Sequence, residues 1–366
     1  MALVKPQFEV FSEPLLLDCG RELTEYRICY EAYGQLAPDR SNVLLLCHGL
    51  SVDAHAMGRH RVDDLKPGWW NNAIGPGHML DTDKYFIICS NVIGGAGGST
   101  GPGSINPATG QPFGMGFPIV TIPDMVRAQV RLIDRLNIAR LHAVIGGCFG
   151  GHQALQWGAA HGDRTKGIVA MTVRAASAAY SIALWEVVRT AIRNDPAWCN
   201  GDYYGGPKPL DGPGLATAIA LLQWMDPDFM QARYGRERVA GTSPKYSFAQ
   251  EFAVEQMIGR VMVTEHASMD ANCLLYLTRA ADYFDLSAGH SSLSGAFLNA
   301  CSEHLLVSYE RDIRYPVVET EKLAEALRSA GRSVKHLVLD SPLSHGAFLY
   351  DLAGLDTAIC KFLTQL

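Results

Sequence analysis

The sequence has no apolar run long enough to span a bilayer, and its first residues, Met1-Ala2-Leu3-Val4-Lys5-Pro6-Gln7, lack the apolar core of a signal peptide. A soluble, cytoplasmic protein without a membrane partner is the expectation. There is no Lys/Arg-rich run, and the net charge is −6, which argues against a nucleic-acid partner. No CxxC pair occurs. The nine cysteines (Cys19, Cys29, Cys47, Cys89, Cys148, Cys199, Cys273, Cys301 and Cys360) are scattered and odd in number. Neither a zinc ribbon nor a disulfide framework is indicated, and no metal site is expected. That usage fits a reducing compartment, where a working thiol survives. Phosphate-binding glycine motifs are missing too. The run from Gly94 to Pro102 is glycine-rich, but it is followed by proline and lacks the lysine of a phosphate loop. It reads as a rigid wall of a site, and no bound cofactor is expected.

What is present is a 366-residue chain with 48% hydrophobic content, enough for a large core. Apolar, β-branched runs predict strands at 26–33, 42–47, 85–90, 141–146, 167–173, 304–309 and 335–339. Helical patterns fall between them at 124–137, 151–161, 317–331 and 346–365. Continuous apolar strands such as Val43-Leu44-Leu45-Leu46-Cys47 suit a parallel sheet covered on both faces, so the fold class is α/β, a mostly parallel sheet flanked by helices. The alternation stops between 176 and 295, a helical stretch rich in Ala, Trp, Met and Tyr. The chain is therefore divided into a first core part (1–175), a helical lid (176–295) and a second core part (296–366). A plain second helical domain is the competing reading of the middle part.

Cys148 lies in Gly146-Gly147-Cys148-Phe149-Gly150-Gly151, directly after the apolar run Leu141-His142-Ala143-Val144-Ile145. Strand, glycine-flanked nucleophile and helix make a nucleophile elbow, here with sulfur in place of the usual oxygen. The helix N-terminus aimed at that side chain favours a thiolate and a developing oxyanion. A buried structural cysteine in an ordinary βα turn is the alternative that the motif alone leaves open.

A reactive thiol needs a base, an orienting carboxylate and oxyanion donors. In chains with this elbow the order is nucleophile, acid, histidine. Asp312 is read at the end of the strand that starts at His304, before Tyr315-Pro316. His345 lies in Ser341-Pro342-Leu343-Ser344-His345-Gly346, after the last strand. Loops at strand C-termini are where open α/β sheets bind ligands. Asp340, at the end of the preceding strand, rivals Asp312 as the acid. For the oxyanion hole, the backbone N–H groups of Phe149 and of Leu50 are the candidates, with Gly49 letting the backbone approach an acyl oxygen. An ordinary βα turn would explain Gly49 as well.

With these residues assembled, the chain resembles the homoserine O-acetyltransferase family of α/β-hydrolase-fold enzymes, from about Phe8 to Leu352. Matching phrases include Tyr30-Glu31-Ala32-Tyr33-Gly34, Cys47-His48-Gly49-Leu50, Pro67-Gly68-Trp69-Trp70, Asp124-Met125-Val126-Arg127-Ala128-Gln129, Arg189-Thr190-Ala191-Ile192 and Asp202-Tyr203-Tyr204. The resemblance implies an α/β-hydrolase fold with an inserted helical lid and a homodimer built through that lid. It implies ping-pong acyl transfer from acetyl-CoA or another acyl-CoA to a small hydroxyl acceptor, both acting as co-substrates. It also assigns Arg189 and Tyr204, with Gly49, to substrate binding; a lid charge with a structural role is the other reading of Arg189. Three departures stand out. The family elbow usually reads Gly-Gly-Ser-Met-Gly-Gly, so Cys148 and Phe149 replace Ser and Met. Where the family carries an aspartate after the histidine, this chain has Gly346. A carboxylesterase or acetyl esterase, with water as acceptor, is the alternative on the same scaffold.

Overall fold

A computed structural model describes residues 3–239, 246–264 and 270–366. Eight strands form one sheet: β1 (Gln7–Phe11), β2 (Tyr26–Tyr33), β3 (Val43–Cys47), β4 (Phe86–Ser90), β5 (Leu141–Gly147), β6 (Thr165–Met171), β7 (Glu303–Tyr309) and β8 (Ser333–Leu339). Their order across the sheet is β1-β2-β4-β3-β5-β6-β7-β8. From β4 to β8 all neighbours are parallel, while β2 pairs antiparallel with both β1 and β4. β3 is buried at every residue, as a strand covered on both faces requires. Two short two-stranded ribbons and four isolated bridges complete the β structure among the described residues.

Helix α1 (Ile122–Arg135) is fixed at its start by a capping box, in which Thr121 and Asp124 exchange side-chain and backbone hydrogen bonds. It buries Ile122, Met125, Val126, Leu132 and Ile133, the helical spacing that gives one apolar face. Helix α2 (Phe149–Ala160) follows the elbow. Between β6 and β7 come α3 (Ala179–Arg193), α4 (Asp211–Leu222), α5 (Pro227–Tyr234), α6 (Ala253–Thr264) and α7 (Ala271–Asp282). The chain then returns to the sheet with α8 (Val317–Ser329) and α9 (Leu355–Gln365). Gly167 and Ile168 show how both faces of the sheet are covered. A Cβ on Gly167 would meet Phe362 of α9, whereas Ile168 packs against Gly158 of α2; adjacent strand residues point to opposite faces.

The α/β reading holds, with local shifts. β1 was not foreseen, because Phe8 and Val10 on this edge strand are exposed and leave little buried pattern to read. β6 ends at Met171, earlier than expected. Thr172 has a φ of 49°, a left-handed conformation that stops a strand, although Val173 is buried. β7 ends at Tyr309, so Asp312 sits in the following turn instead of closing the strand. The predicted helix 346–365 is two pieces, Ala347–Tyr350 and α9. Gly354 at φ 75° interrupts it, and the Ser341 hydroxyl donates to Asp351 at 2.7 Å. No helix among the described residues is long and apolar enough to cross a membrane. All nine cysteines are free thiols.

Candidate active site

The elbow is built by close packing of backbone on backbone. A Cβ on Gly146 would stand 2.2 Å from the Gly150 carbonyl oxygen, and one on Gly150 would stand 2.0 Å from that of Cys47. Neither acceptor is a flexible side-chain tip, so only glycine lets α2 descend this far onto β3. Gly150→Ala is expected to cost about 3 kcal/mol or more by overpacking a rigid site. A thermal melt of the variant checks this; an unchanged midpoint would show that the elbow relaxes. Within this turn Cys148 adopts φ 55° and ψ −121°, a conformation that non-glycine residues hold only when their surroundings enforce it. Here its N–H donates to the Met171 carbonyl at 2.9 Å and to the Thr172 hydroxyl at 3.2 Å.

The candidate acid and base arrive on the loops after β7 and β8. Asp312 Oδ1 accepts the backbone N–H groups of Arg314 and Tyr315, both at 2.9 Å. Its Oδ2 lies 2.9 Å from His345 Nδ1, and both side chains are fully buried. Ser344, at φ 52°, ties the two loops together by donating to the Arg311 carbonyl at 2.7 Å. The His345 segment is also anchored to the Trp-Trp motif: Trp70 Nε1 donates to the Phe348 carbonyl at 3.0 Å. Asp340, the rival candidate, is exposed and paired with Arg311 at 2.8 Å, and the carboxylate hydrogen-bonded to His345 is that of Asp312.

His345 Nε2 is buried and makes no well-aligned hydrogen bond, yet it is near enough to Cys148 for the two groups to shift each other. Burial alone would raise the Cys148 thiol. The positive charges of His345 and then Arg314, with help from the Phe149 N–H, outweigh burial and bring it down to about 7. Burial alone would lower His345; the Asp312 charge, then the Cys148 charge, lift it to about 9. Each partner thus favours the charged form of the other, a thiolate beside an imidazolium.

The candidate oxyanion loop follows β3. Val92 N–H donates to His48 Nε2 at 3.1 Å, so the His48 proton sits on Nδ1, which donates to the Gly49 carbonyl at 2.7 Å. A trans peptide points its C=O and N–H in opposite directions. The Leu50 N–H is therefore turned away from His48, and among the described residues it has no acceptor. Gln153 links this loop to the elbow helix, donating to the His48 and Phe149 carbonyls at 3.2 and 3.3 Å. In the glycine run that follows β4, Gly98 faces Cys29 and Phe8, and Ser99 accepts the Cys29 N–H at 2.9 Å, so this part of the run braces β2.

The two residues assigned to substrate from the helical segment have partners of their own. Arg189 is buried and ion-paired with Asp282 at 2.8 Å and Glu186 at 3.0 Å. The Tyr204 hydroxyl donates to Asp270 at 3.2 Å and accepts from Asn272 at 3.2 Å. Its ring lines a cavity of about 350 Å³ with Phe113, Met115 and Asn200, to which neither Cys148, Asp312 nor His345 contributes. The helical segment does reach the candidate site through two tryptophans. Trp224, just after α4, lies edge-on to the His345 ring at 5.6 Å, and Trp185 of α3 stacks under the Arg314 guanidinium at 4.5 Å.

Sequence reasoning missed Arg314 and His152. Arg314 is buried against Trp185 and Tyr315. His152, one turn into α2, is fully buried between Phe284 (4.4 Å) and Tyr315 (5.6 Å), with neither ring nitrogen hydrogen-bonded. Burial, then the charges of Arg314, Arg174 and His345, push it down to about 3, so it stays neutral. The one signal for Arg314 was its place two residues after the acid.

The family profile described as alpha/beta hydrolase fold matches residues 42–254. A homoserine O-acetyltransferase of Symbiobacterium thermophilum is 43% identical over 357 residues, covering 96% of this chain and 92% of that protein. The crystal structure of homoserine O-acetyltransferase from Bacillus anthracis superposes with a TM-score of 0.92 at 29% identity, covering 99% of this chain and 98% of that one. Esterase E22 superposes with a TM-score of 0.89, also at 29% identity, covering 99% and 100%.

Proposed function

From the premise that the chain belongs to the homoserine O-acetyltransferase family of α/β hydrolases, we propose that it transfers a short acyl group from an acyl-CoA or ester to a small hydroxyl acceptor by way of a thioester on Cys148. The observation that carries this reading is the buried Asp312–His345 pair at 2.9 Å, and the mutual electrostatic influence of His345 and Cys148 supports it.

The steps follow from the geometry. The Cys148 thiolate adds to the donor carbonyl, and the developing oxyanion takes the N–H groups of Phe149 and Leu50. His345 gives its proton to the departing CoA sulfur or alkoxide as the tetrahedral species collapses to the thioester. Neutral His345 then takes the proton of the acceptor hydroxyl as that oxygen attacks the thioester. The second collapse releases the ester and restores thiolate and imidazolium. Asp312 holds the imidazole tautomer throughout. The insertion acts as a lid, with Trp224 and Trp185 shielding the reacting atoms from water, so that the acceptor competes with hydrolysis. Free thiols support a reducing, cytoplasmic setting.

A single assay tests the reading. Enzyme is incubated with acetyl-CoA, with and without homoserine, while released CoA, free acetate and O-acetyl product are followed. O-acetyl product that depends on the acceptor supports transfer. Acetate formed at the same rate with or without acceptor overturns it and makes water the acceptor. The family resemblance makes position 346, where the family carries an aspartate, the place where the acceptor's ammonium would be held. At φ −78°, and with only ordinary contacts to Trp224 from 3.5 Å outward, an added side chain fits there. Gly346→Asp is expected to raise kcat/KM for homoserine about tenfold, the worth of one charge-assisted hydrogen bond. No gain would mean that the acceptor's ammonium is bound elsewhere.

A further inference from the structure

We propose that Glu31, His55 and His60 form a binding site for a divalent transition-metal ion of the zinc type, which clips the segment after the candidate oxyanion loop to the sheet. The proposal stands or falls independently of acyl transfer through Cys148.

Glu31 lies on β2, where strand alternation places it on one face with Cys29 and Tyr33. It is only 1% exposed. Two imidazoles converge on its carboxylate, His55 Nδ1 at 3.0 Å and His60 Nε2 at 2.5 Å. One donor atom from each of the three side chains falls within 4.8 Å of the others. Two imidazoles and a carboxylate are a donor set for zinc-type ions and leave a position for water. Magnesium and calcium, which take oxygen ligands, do not suit it. Around a tetrahedral ion the donor atoms stand about 3.3 Å apart, so His60 must draw back slightly. Its side chain is 42% exposed and has room to do so.

The other two ligands are held by groups of their own. The Tyr33 hydroxyl donates to Glu31 Oε2 at 2.8 Å and accepts the Ala56 N–H at 2.8 Å. Hydrogen bonds of this kind aim the ligands of metal sites. The His55 N–H donates to Asp53 Oδ1 at 2.8 Å, and its carbonyl accepts the Trp69 N–H at 3.1 Å. Between the two histidines the backbone is pinned as well: a Cβ on Gly68 would stand 2.2 Å from the Met57 nitrogen. Buried charges are paired or coordinate metals. A proton on one imidazole offsets Glu31 alone, whereas a divalent ion also offsets Asp53. His55 follows Leu50 by five residues, so an ion bound here ties the chain beyond the oxyanion donor to β2. The sequence-based expectation of no metal site rested on cysteine spacing. Glu31 is 24 and 29 positions from the two histidines, too far for a spacing rule to join them.

The experiment uses the full chain carrying Cys148→Ala, so that the candidate nucleophile does not compete for the probe. The protein is dialysed against a chelator and titrated with zinc sulfate in a calorimeter. One equivalent is expected to bind with a Kd of about 10 μM or tighter. Adding His60→Ala should weaken that binding by at least about tenfold, since hydrogen bonds to a ligand are already worth that much. His60 is at the surface, so the fold should survive its loss, and circular dichroism checks this. Cobalt(II) in place of zinc reports the ligands: visible d–d bands are expected, without the near-ultraviolet band that thiolate ligation adds, and His60→Ala should remove them. A thermal melt gives a second readout, because an ion that binds only the folded state raises the midpoint. Zinc should raise it in the Cys148→Ala protein and not once His60→Ala is added. Weaker zinc binding than this, a loss of less than about tenfold in His60→Ala, or a cobalt spectrum with a thiolate band would overturn the proposal. Glu31 would then be balanced by protons on its two imidazoles alone.

Discussion

Cys148→Ala is expected to lower kcat/KM for acyl transfer by roughly four to six orders of magnitude, the loss seen when a covalent nucleophile is removed and only the oxyanion donors and binding remain. The residue is already in a small, buried position, so the fold should tolerate the change. Steady-state assays with acetyl-CoA check it, and a drop of less than a hundredfold would show that no thioester forms on the main path. The pH profile adds a test of sign. Below about 7 the thiol carries its proton and cannot attack; above about 9 His345 has lost the proton that the leaving group needs. The wild type should therefore give a bell with limbs near those values. Cys148→Ser should lose the falling limb and rise with pH to a plateau, because a hydroxyl reacts only when His345 is free to act as its base. A bell of the same shape in both enzymes would argue against a resting ion pair.

The second large effect falls on Asp312→Asn. After burial, which acts the other way, the Asp312 charge is the leading influence on His345 and lifts it. Without that charge the imidazole is expected to fall back. The thiol then loses the cation that holds it down, and the neutral pair replaces thiolate and imidazolium. The amide can also donate to Nδ1 and trap the wrong tautomer. A loss of about 10³- to 10⁴-fold in kcat is expected, as when a triad carboxylate is neutralised. Alkylation of Cys148 by iodoacetamide at neutral pH should slow about tenfold or more. Wild-type alkylation in a variant with poor turnover would assign Asp312 to a later step than thiolate formation.

The legible parts of this molecule were those written in local backbone chemistry. Glycines at 146 and 150 declare a turn with no room for a Cβ, and the β-branched run before them declares a buried strand. Chain order and the loops at strand ends pointed to Asp312 and His345, which the fold brings within 2.9 Å of each other, although Asp312 was read as closing its strand. What escaped were properties set by partners distant in sequence. Arg314 reads as a solvent-facing loop charge until Trp185, more than a hundred positions earlier, is seen beneath it. His152 lies on a helix with no polar pattern to mark it. Arg189 matched a family phrase, but its ion pair with Asp282 was not legible, because no spacing rule joins residues on α3 and α7. Gly354 broke a helix whose apolar periodicity continues across the break, since periodicity does not register a single left-handed residue.

The elbow and its strand come from the first half of the chain, whereas Asp312, Arg314 and His345 all come from its last stretch, after the whole helical insertion. Every side chain that makes Cys148 more acidic is therefore synthesised long after it. A nascent polypeptide emerging from the ribosome presents an ordinary cysteine at this position. The thiol is armed only when the carboxy-terminal strands dock, so unfinished or truncated chains should not capture acyl groups from the metabolite pool.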